Sequence, residues 1–198
     1  MEIGTHQRRG YRMVARAEAT AATRERILNS TDRLFLSLAS DGFSLEDVAE
    51  GAGTTVQTVL RHFGSKELLL RAGIDRASER IGRERMQAPV GDVLGAVANV
   101  VDHYEAHGDT VMRLLGEERN PVLREVVDRG RAFHHEWVEH TFAPQLQQLR
   151  GKARRRRLAQ LVAMTDVYVW KLLRRDMQLS RAQTQAAIVE LIERLERD

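Results

Sequence analysis

Residues 44–66, SLEDVAEGAGTTVQTVLRHFGSK, contain two short amphipathic segments separated by Gly53. In the first segment Ser44 and Asp47 have the spacing of a capping box, which marks the start of a helix. Its apolar side chains recur at helical spacing, at Leu45, Val48, Ala49 and Ala52. Gly53 lacks a Cβ and can take the left-handed conformation that ends a helix and turns the chain. The stretch therefore predicts a helix-turn-helix, a motif whose second helix enters the major groove of DNA.

The second segment combines an apolar side with polar side chains near its amino end. Thr54 and Gln57 have capping-box spacing. The side chains expected to pack inward are Val56, Val59, Leu60 and Phe63. The polar side chains expected to contact DNA are Ser44, Thr54, Thr55, Gln57, Thr58, Arg61, His62 and Lys66. Within that set, base edges are assigned to Thr55, Gln57, Thr58 and Arg61, and phosphates to Ser44, His62 and Lys66.

From Thr23 to Leu70 the chain resembles the DNA-binding domain of the TetR family of bacterial transcriptional repressors. The motifs that carry the resemblance are the helix 26–38, the link Asp41-Gly42-Phe43, the pairs Val48-Ala49 and Ala52-Gly53, and the run His62-Phe63-Gly64-Ser65-Lys66. The resemblance implies a dimeric, ligand-responsive repressor that binds a near-palindromic operator. Leu60 stands where the family usually has a tyrosine that touches the DNA backbone, and Gln57 is unusual at its position. The operator sequence therefore does not follow from the resemblance.

Three segments are expected: a basic flexible arm at 1–20, a helix-turn-helix domain at 21–66, and a helical ligand-binding and dimerisation domain at 67–198. The arm carries Arg8, Arg9, Arg12 and Arg16, which fit either contact with a DNA groove or a solubilising tail. A second basic run, 152–157, is expected to be a charged loop that leads into a helix. No strand pattern is present, so the sequence predicts an all-α fold.

The body of the chain divides into helices at its prolines and capping residues. The helices are expected at 65–86, 92–107, 109–117, 121–149 (with a kink at Pro144), 154–177 and 180–197. The resemblance assigns the last two helices to dimerisation, although the same apolar faces would also suit a core within one subunit. The side chains assigned to the dimer interface are Leu158, Leu161, Val162, Val169, Leu172, Leu173, Val189, Ile192 and Leu195.

The family resemblance also places a small-molecule site in the body. Large apolar or amphipathic side chains on helices that would face one another are its candidate walls, with plain core packing as the alternative. These candidates are Met112, Leu115, Phe133, His134, Trp137, Met164, Tyr168 and Trp170. The stretch HHEWVEH at 134–140 does not have HExxH spacing, so no metal ligand is predicted there.

Catalysis is not expected, because the chain lacks the motifs that would support it. It has no Glu-x-x-His pair, no G-x-S-x-G elbow, no phosphate-binding loop and no cysteine. The absence of cysteine fits a reducing cytoplasm, and neither a signal peptide nor a membrane span is expected. We therefore predict a DNA-binding regulator without a cofactor, whose partners are double-stranded operator DNA, an unidentified small-molecule effector and a second copy of the chain. The alternatives are a non-specific or architectural DNA binder and an all-α metal-dependent enzyme.

Overall fold

The computed structural model describes residues 3–37, 44–116 and 121–197 of the chain, and the side chains of 13–33, 44–116 and 123–195. The regular structure in these ranges is entirely helical, which confirms the predicted all-α fold. The chain divides into two compact units, Met1–Ser78 and Glu79–Asp198, so the boundary falls after the predicted position at Lys66. Among the described residues, no helix combines the length and the apolar character that a membrane crossing requires.

The first unit contains the helix-turn-helix. Its helices are α1 (Ile3–Ser37), α2 (Leu45–Gly51), α3 (Val56–Phe63) and the first part of α4 (Lys66–Arg85). Their apolar faces meet in a small core of Ile27, Leu28, Val48, Ala49, Ala52, Val59, Phe63 and Leu69. The link Asp41-Gly42-Phe43 lies outside the described residues.

The predicted flexible arm is wrong in one respect, because residues 3–20 are helical and continuous with α1. The physical reason is local composition. Five alanines occur between residues 15 and 22, and neither glycine nor proline occurs from 11 to 37. Alanine has the highest helix propensity, so this stretch favours the helix over an extended tail. Arg16 is exposed, whereas the side chains of Arg8, Arg9 and Arg12 lie outside the described set.

The second unit is a helical bundle around one large core. After the end of α4 its elements are α5 (Val93–Gly116), α6 (Pro121–Thr141), α7 (Ala143–Leu146), α8 (Gly151–Met164), α9 (Val167–Lys171), a π-helical turn (Leu172–Asp176) and α10 (Arg181–Arg197). Helix α5 packs against both α9 and α10, and α8 packs against α6 and α10. The largest fully buried side chains of this core are Trp137, Trp170 and Phe142.

Several helix ends differ from the prediction because tertiary packing overrides local signals. The predicted break near Gly108 is absent, since α5 is continuous there and the ring of Trp170 lies against the glycine. The predicted helix 154–177 is broken at Thr165, and Asp166 caps the next helix by accepting from the amide of Tyr168 at 2.9 Å. The basic run 152–157 lies within α8 and is not a loop.

Candidate nucleic-acid interface and effector site

The turn between α2 and α3 is built by the backbone of three consecutive residues. Gly53 has a φ of +61°, the left-handed conformation expected for it. The amide of Gly53 donates to the carbonyl of Glu50 at 3.0 Å, and the amide of Thr54 donates to the carbonyl of Ala49 at 2.9 Å. This pair of bonds is a Schellman motif, which satisfies the last carbonyls of α2 and fixes the angle at which the chain leaves it.

Both ends of α2 are held by side chains. The predicted capping box is confirmed: Ser44 Oγ accepts from the amide of Asp47 at 3.0 Å, and the Asp47 carboxylate accepts from the amide of Ser44 at 3.0 Å. The Asp47 carboxylate also accepts from the Ser44 hydroxyl at 2.6 Å, and the two bonds that it accepts from Ser44, first that from the hydroxyl, lower the pKa of Asp47. At the other end, Arg26 of α1 donates to the carbonyl of Ala52 at 3.2 Å, and Arg33 donates to that of Gly51 at 3.0 Å. Cations at a helix carboxyl end also complement its dipole.

Helix α3 begins one residue later than the threonine spacing predicted. Thr55, not Thr54, is its N-cap, because its hydroxyl accepts from the amide of Thr58 at 3.2 Å. The hydroxyls of Thr55 and Thr58 also lie 3.0 Å apart. Thr54 is occupied in the turn, where its amide closes the Schellman motif. The predicted pairing of Thr54 with Gln57 is therefore wrong.

The outward face of α3 presents a polar side chain and, three and four residues after it, an apolar and a cationic one. Gln57 and Arg61 are exposed, as predicted, and Leu60 lies beside them on the same side of the helix with 37% of its surface exposed. The spacing predicts that Leu60 packs inward, but Val59 and Phe63 fill the core instead. The exposure of Leu60 could not be predicted, because an apolar residue at this position also fits the inward stripe of the helix. We call Gln57, Leu60 and Arg61 the reading face.

The three side chains expected to contact phosphate, Ser44, His62 and Lys66, differ in exposure and in the hydrogen bonds that they already form. The Ser44 hydroxyl is already engaged in its capping box, and His62 is half-buried beside Phe63. Lys66 is exposed and is the first residue of α4. Ser65 caps that helix by accepting from the amide of Leu68 at 3.2 Å. Lys66 therefore combines a cationic side chain with the positive end of a helix, the arrangement that suits an anion.

In the second unit, the side chains predicted to line an effector site fall into three groups. His134, Trp137 and Trp170 are buried in the core. The partly buried members, packed against that core, are Met112, Leu115, Phe133 and Met164. Tyr168 is 54% exposed and does not pack against that core with the other candidates. On the same short helix, Val167 and Trp170 turn inward.

Trp170 has a structural environment of its own. Its Nε1–H donates to Glu105 at 2.9 Å, and Arg174 donates to the same carboxylate at 2.7 Å. The hydrogen bond from Arg174 is the main cause that lowers the pKa of Glu105 to about 2. Arg175 lies over the indole, 4.7 Å from its centroid. These contacts hold the ring in the core of the second unit.

A polar centre that sequence reasoning missed surrounds Trp137. The guanidinium of Arg85 lies 4.1 Å above the Trp137 ring, and the indole Nε1–H donates to the Arg85 carbonyl at 2.9 Å. Arg85 Nη2 also donates to His134 Nδ1 at 3.3 Å. Because Nδ1 accepts, the His134 proton is on Nε2, which faces the carbonyl of Val162 at 3.3 Å. Burial is the main cause that lowers the pKa of His134 to about 4.

A signal for Arg85 was present in the sequence. Ile74 is buried and Ile81 is half-buried, and Arg85 continues their helical spacing at the end of α4. An arginine within an apolar stripe differs from the exposed Arg83 two residues before it.

Among the described residues, no cluster of histidine and acidic side chains is arranged to hold a metal ion.

The predicted dimerisation residues divide between core and surface. Leu158, Leu161, Val189 and Ile192 are buried within the subunit, so the assignment of these four to an intersubunit face is wrong. An amphipathic helix shows the same spacing whether its apolar face meets its own subunit or another. Leu172 is exposed, and the partly exposed members are Val162, Val169, Leu173 and Leu195. Two further apolar side chains are exposed: Tyr168 on α9, four residues before Leu172, and Leu191 on α10.

The amino-terminal unit matches a known family of regulators. Residues 27–72 match the family model described as bacterial regulatory proteins of the tetR family. An HTH-type transcriptional regulator of Mycobacterium tuberculosis, whose name calls it uncharacterized, is 33% identical over 78 residues, in strain H37Rv and in strain CDC 1551. The matched stretch covers 39% of this chain and 38% of the relative. The match thus spans about two fifths of either chain.

Solved structures resemble the chain over most of its length. A TetR-family transcriptional regulator from Rhodococcus has a TM-score of 0.63 at 18% identity, covering 88% of this chain and 98% of that one. NalD, the secondary repressor of the MexAB-OprM multidrug efflux pump in Pseudomonas aeruginosa, has a TM-score of 0.53 at 22% identity, covering 89% and 96%. At such identities the likeness concerns the fold, an amino-terminal helix-turn-helix unit followed by a helical unit.

Proposed function

We propose that the chain is a member of the TetR family of bacterial regulatory proteins, whose family model its residues 27–72 match, and that it is a ligand-responsive repressor that binds a near-palindromic operator as a dimer. The observation that carries the proposal is the reading face of α3, in which Gln57, Leu60 and Arg61 point away from the core of a capped helix-turn-helix. Gln57 suits adenine, Arg61 suits guanine, and the apolar side chain of Leu60 beside them suits the methyl group of thymine. Lys66 holds phosphate and sets the register.

The dimer interface in this proposal is formed by the exposed apolar side chains that the subunit core leaves uncovered. These are Tyr168, Leu172 and Leu191, with the partly exposed Val169 and Leu195 beside them. Burial of such side chains between two copies removes apolar surface from water. A two-fold arrangement presents two reading faces to half-sites separated by one helical turn of DNA or a multiple of it.

Selection of binding sites from random duplex DNA tests the proposal. We expect the enriched sequence to be near-palindromic and to bind two subunits per duplex. A non-specific or architectural binder would instead enrich no sequence, and its affinity would depend on salt alone. That outcome would overturn the regulator assignment.

Replacement of Gln57 and replacement of Lys66 should have different signatures on the selected operator. Gln57→Ala should relax base preference at one position in each half-site, at a cost of about 1–3 kcal/mol on the preferred sequence. Lys66→Ala should weaken all sequences alike and reduce the salt slope by about 1 per subunit. Titration of both variants on the operator and on unrelated DNA measures the contrast. An equal loss on every sequence for Gln57→Ala would show that Gln57 does not read a base.

Leu60 should make binding sensitive to the methyl group of thymine. Replacing thymine by deoxyuridine at the contacted position removes one methyl group and leaves every hydrogen-bonding edge unchanged. Burial of a methyl group is worth about 0.8 kcal/mol, so we expect a roughly fourfold loss of affinity for the wild type. Leu60→Ala should lose that sensitivity, which a titration of both proteins on both duplexes measures. A variant that kept the full difference would assign the methyl contact elsewhere.

A further inference from the structure

A buried cation without a carboxylate partner lies at the end of α4. Arg85 is 3% exposed, and none of the carboxylates that the structure describes forms an ion pair with it. Its guanidinium contacts the rings of Trp137 and Tyr104, at 4.1 and 5.9 Å from their centroids, and donates to the neutral imidazole of His134. Its Nε atom is enclosed and has no hydrogen-bond partner among the described residues. Buried arginines are ordinarily paired, because an uncompensated charge is costly to desolvate.

The titratable groups around Arg85 do not neutralise it. Burial, followed by the charge of Arg85, lowers the pKa of His103 to about 2 and that of His134 to about 4. The pKa of His107 is lowered as well, mainly by burial. These imidazoles are therefore uncharged at pH 7. A guanidinium keeps its proton under all physiological conditions, so the centre carries one net positive charge.

We propose that Arg85 is the anion-recognition point of the effector site, and that the effector is a small molecule with a single carboxylate and an apolar body. The inference rests on the proposed function, since it names the class of ligand to which the regulator responds. A carboxylate would accept from the unpartnered Nε–H and from a neighbouring Nη–H, the side-on geometry for which the planar guanidinium is suited. It would thereby supply the missing counter-charge.

The charge and the surroundings of Arg85 select the ligand further. One guanidinium compensates a monoanion, whereas a phosphate dianion would leave a buried negative charge unpaired. The rings of Tyr104 and Trp137 border the guanidinium, and Phe133 lies against Gly82, one turn before Arg85 on α4. Ligand pockets combine such apolar walls with a few polar groups that orient the ligand. The walls therefore favour an aromatic or aliphatic body over a sugar.

Access to Nε requires the packing around it to open. Because the atom is enclosed in the described structure, a carboxylate reaches it only when neighbouring side chains part. Phe133 is only partly buried and lies against Gly82, one turn before Arg85, so a change of its rotamer is the opening that this inference requires. The carboxylate complex would thus differ in conformation from the structure described, and a ligand shifts an equilibrium toward the state that it binds better.

Matched pairs of acid and amide test the inference on the full-length wild-type chain. The probes are 3-phenylpropanoate with 3-phenylpropanamide, and octanoate with octanamide. Both tryptophans lie in the second unit, and Trp137 lies against Arg85, so fluorescence and Tm report binding there. We expect at least one acid to bind at least tenfold more tightly than its amide. Equal binding of acid and amide in both pairs, or no binding of either acid at millimolar concentration, would overturn the inference.

Substitution of Arg85 locates the preference on one side chain. Arg85→Gln should abolish the difference between acid and amide, whereas Arg83→Gln, at an exposed position on the same helix, should keep it. If Arg85→Gln does not fold, Arg85→Lys tests the assignment, because it keeps the charge. It should retain a reduced preference for the acid over the amide, and an unchanged preference would count against Arg85. An unchanged preference in a folded Arg85→Gln variant would overturn the assignment.

Operator binding is measured separately so that the two proposals fail independently. A protein that selects a near-palindrome but shows no preference for acids remains a regulator, and the carboxylate inference fails. A protein that binds acids through Arg85 without any change in DNA affinity keeps the carboxylate site, and the ligand-responsive part of the proposed function fails.

Discussion

Gly108→Ala is expected to destabilise the second unit by about 1–3 kcal/mol, although alanine is the better helix former. A Cβ at residue 108 would lie 2.4 Å from Cζ3 and 2.6 Å from Cη2 of Trp170. The indole cannot move away cheaply, because it is fully buried and its Nε1–H is bonded to Glu105. Thermal or urea unfolding monitored by tryptophan fluorescence measures the loss, and each kcal/mol lowers Tm by about 2–4 °C in a chain of this size.

Gly130→Ala provides the matched control for Gly108→Ala. Gly130 is an exposed residue within α6, and a Cβ there would meet no atom within 4 Å. We expect it to gain up to about 1 kcal/mol from helix propensity alone. In a Trp170→Leu background the cost of Gly108→Ala should disappear, because the ring atoms that it meets are gone. A gain for Gly108→Ala in the wild-type background would show that the indole shifts without penalty.

The DNA-binding unit was largely predictable because its signals are local. The bonds between Ser44 and Asp47 span three residues, and the turn at Gly53 depends on one residue without a Cβ. The N-cap of α3 was misplaced by one residue because two adjacent threonines offer the same hydroxyl. The choice between Thr54 and Thr55 is made by the Schellman motif, in which the amide of Thr54 is already used.

Features that depend on tertiary packing could not be read from spacing. Leu60 continues the apolar stripe of α3 in sequence, yet the core is filled by its neighbours and Leu60 faces solvent. Leu161 and Ile192 lie on amphipathic helices whose apolar faces turned out to meet within one subunit. Periodicity states that a face is buried, but it does not state against what.

The polar centre of the second unit shows the same limit for charged residues. Arg85 continues the apolar spacing of Ile74 and Ile81 whereas Arg83 does not, but that spacing does not state which groups the buried guanidinium meets. The buried imidazole of His134 was predicted as a wall residue by its size and amphipathic character. Its role as acceptor for a guanidinium depends on a residue 49 positions away.

Acidification from pH 7 to pH 5 is expected to lower the free energy of unfolding of the second unit by about 4 kcal/mol, about 2 kcal/mol each from His103 and His134. The folded-state pKa values are depressed to about 2 for His103 and about 4 for His134, mainly by burial, while the pKa of an unfolded histidine is about 6.5. Between the folded and unfolded values only the unfolded state binds the proton, so stability falls as the pH drops below 6.5. Below about pH 4 the folded state also protonates His134, and the loss from that residue levels off.

Urea unfolding at pH 7 and pH 5, followed by tryptophan fluorescence, measures the difference, and His134→Gln assigns it. Glutamine can accept and donate as the imidazole does but does not titrate, so the variant should lose about 2 kcal/mol less than the wild type between the two pH values. His140→Gln, at an exposed position on the same helix, should keep the wild-type pH dependence. The charge of Arg85 faces His134 from α4, and His135 lies beside it on α6. If His134→Gln kept the full pH dependence, the proton uptake would have to occur at another group, and the buried neutral imidazole beside Arg85 would not be the origin of the acid sensitivity.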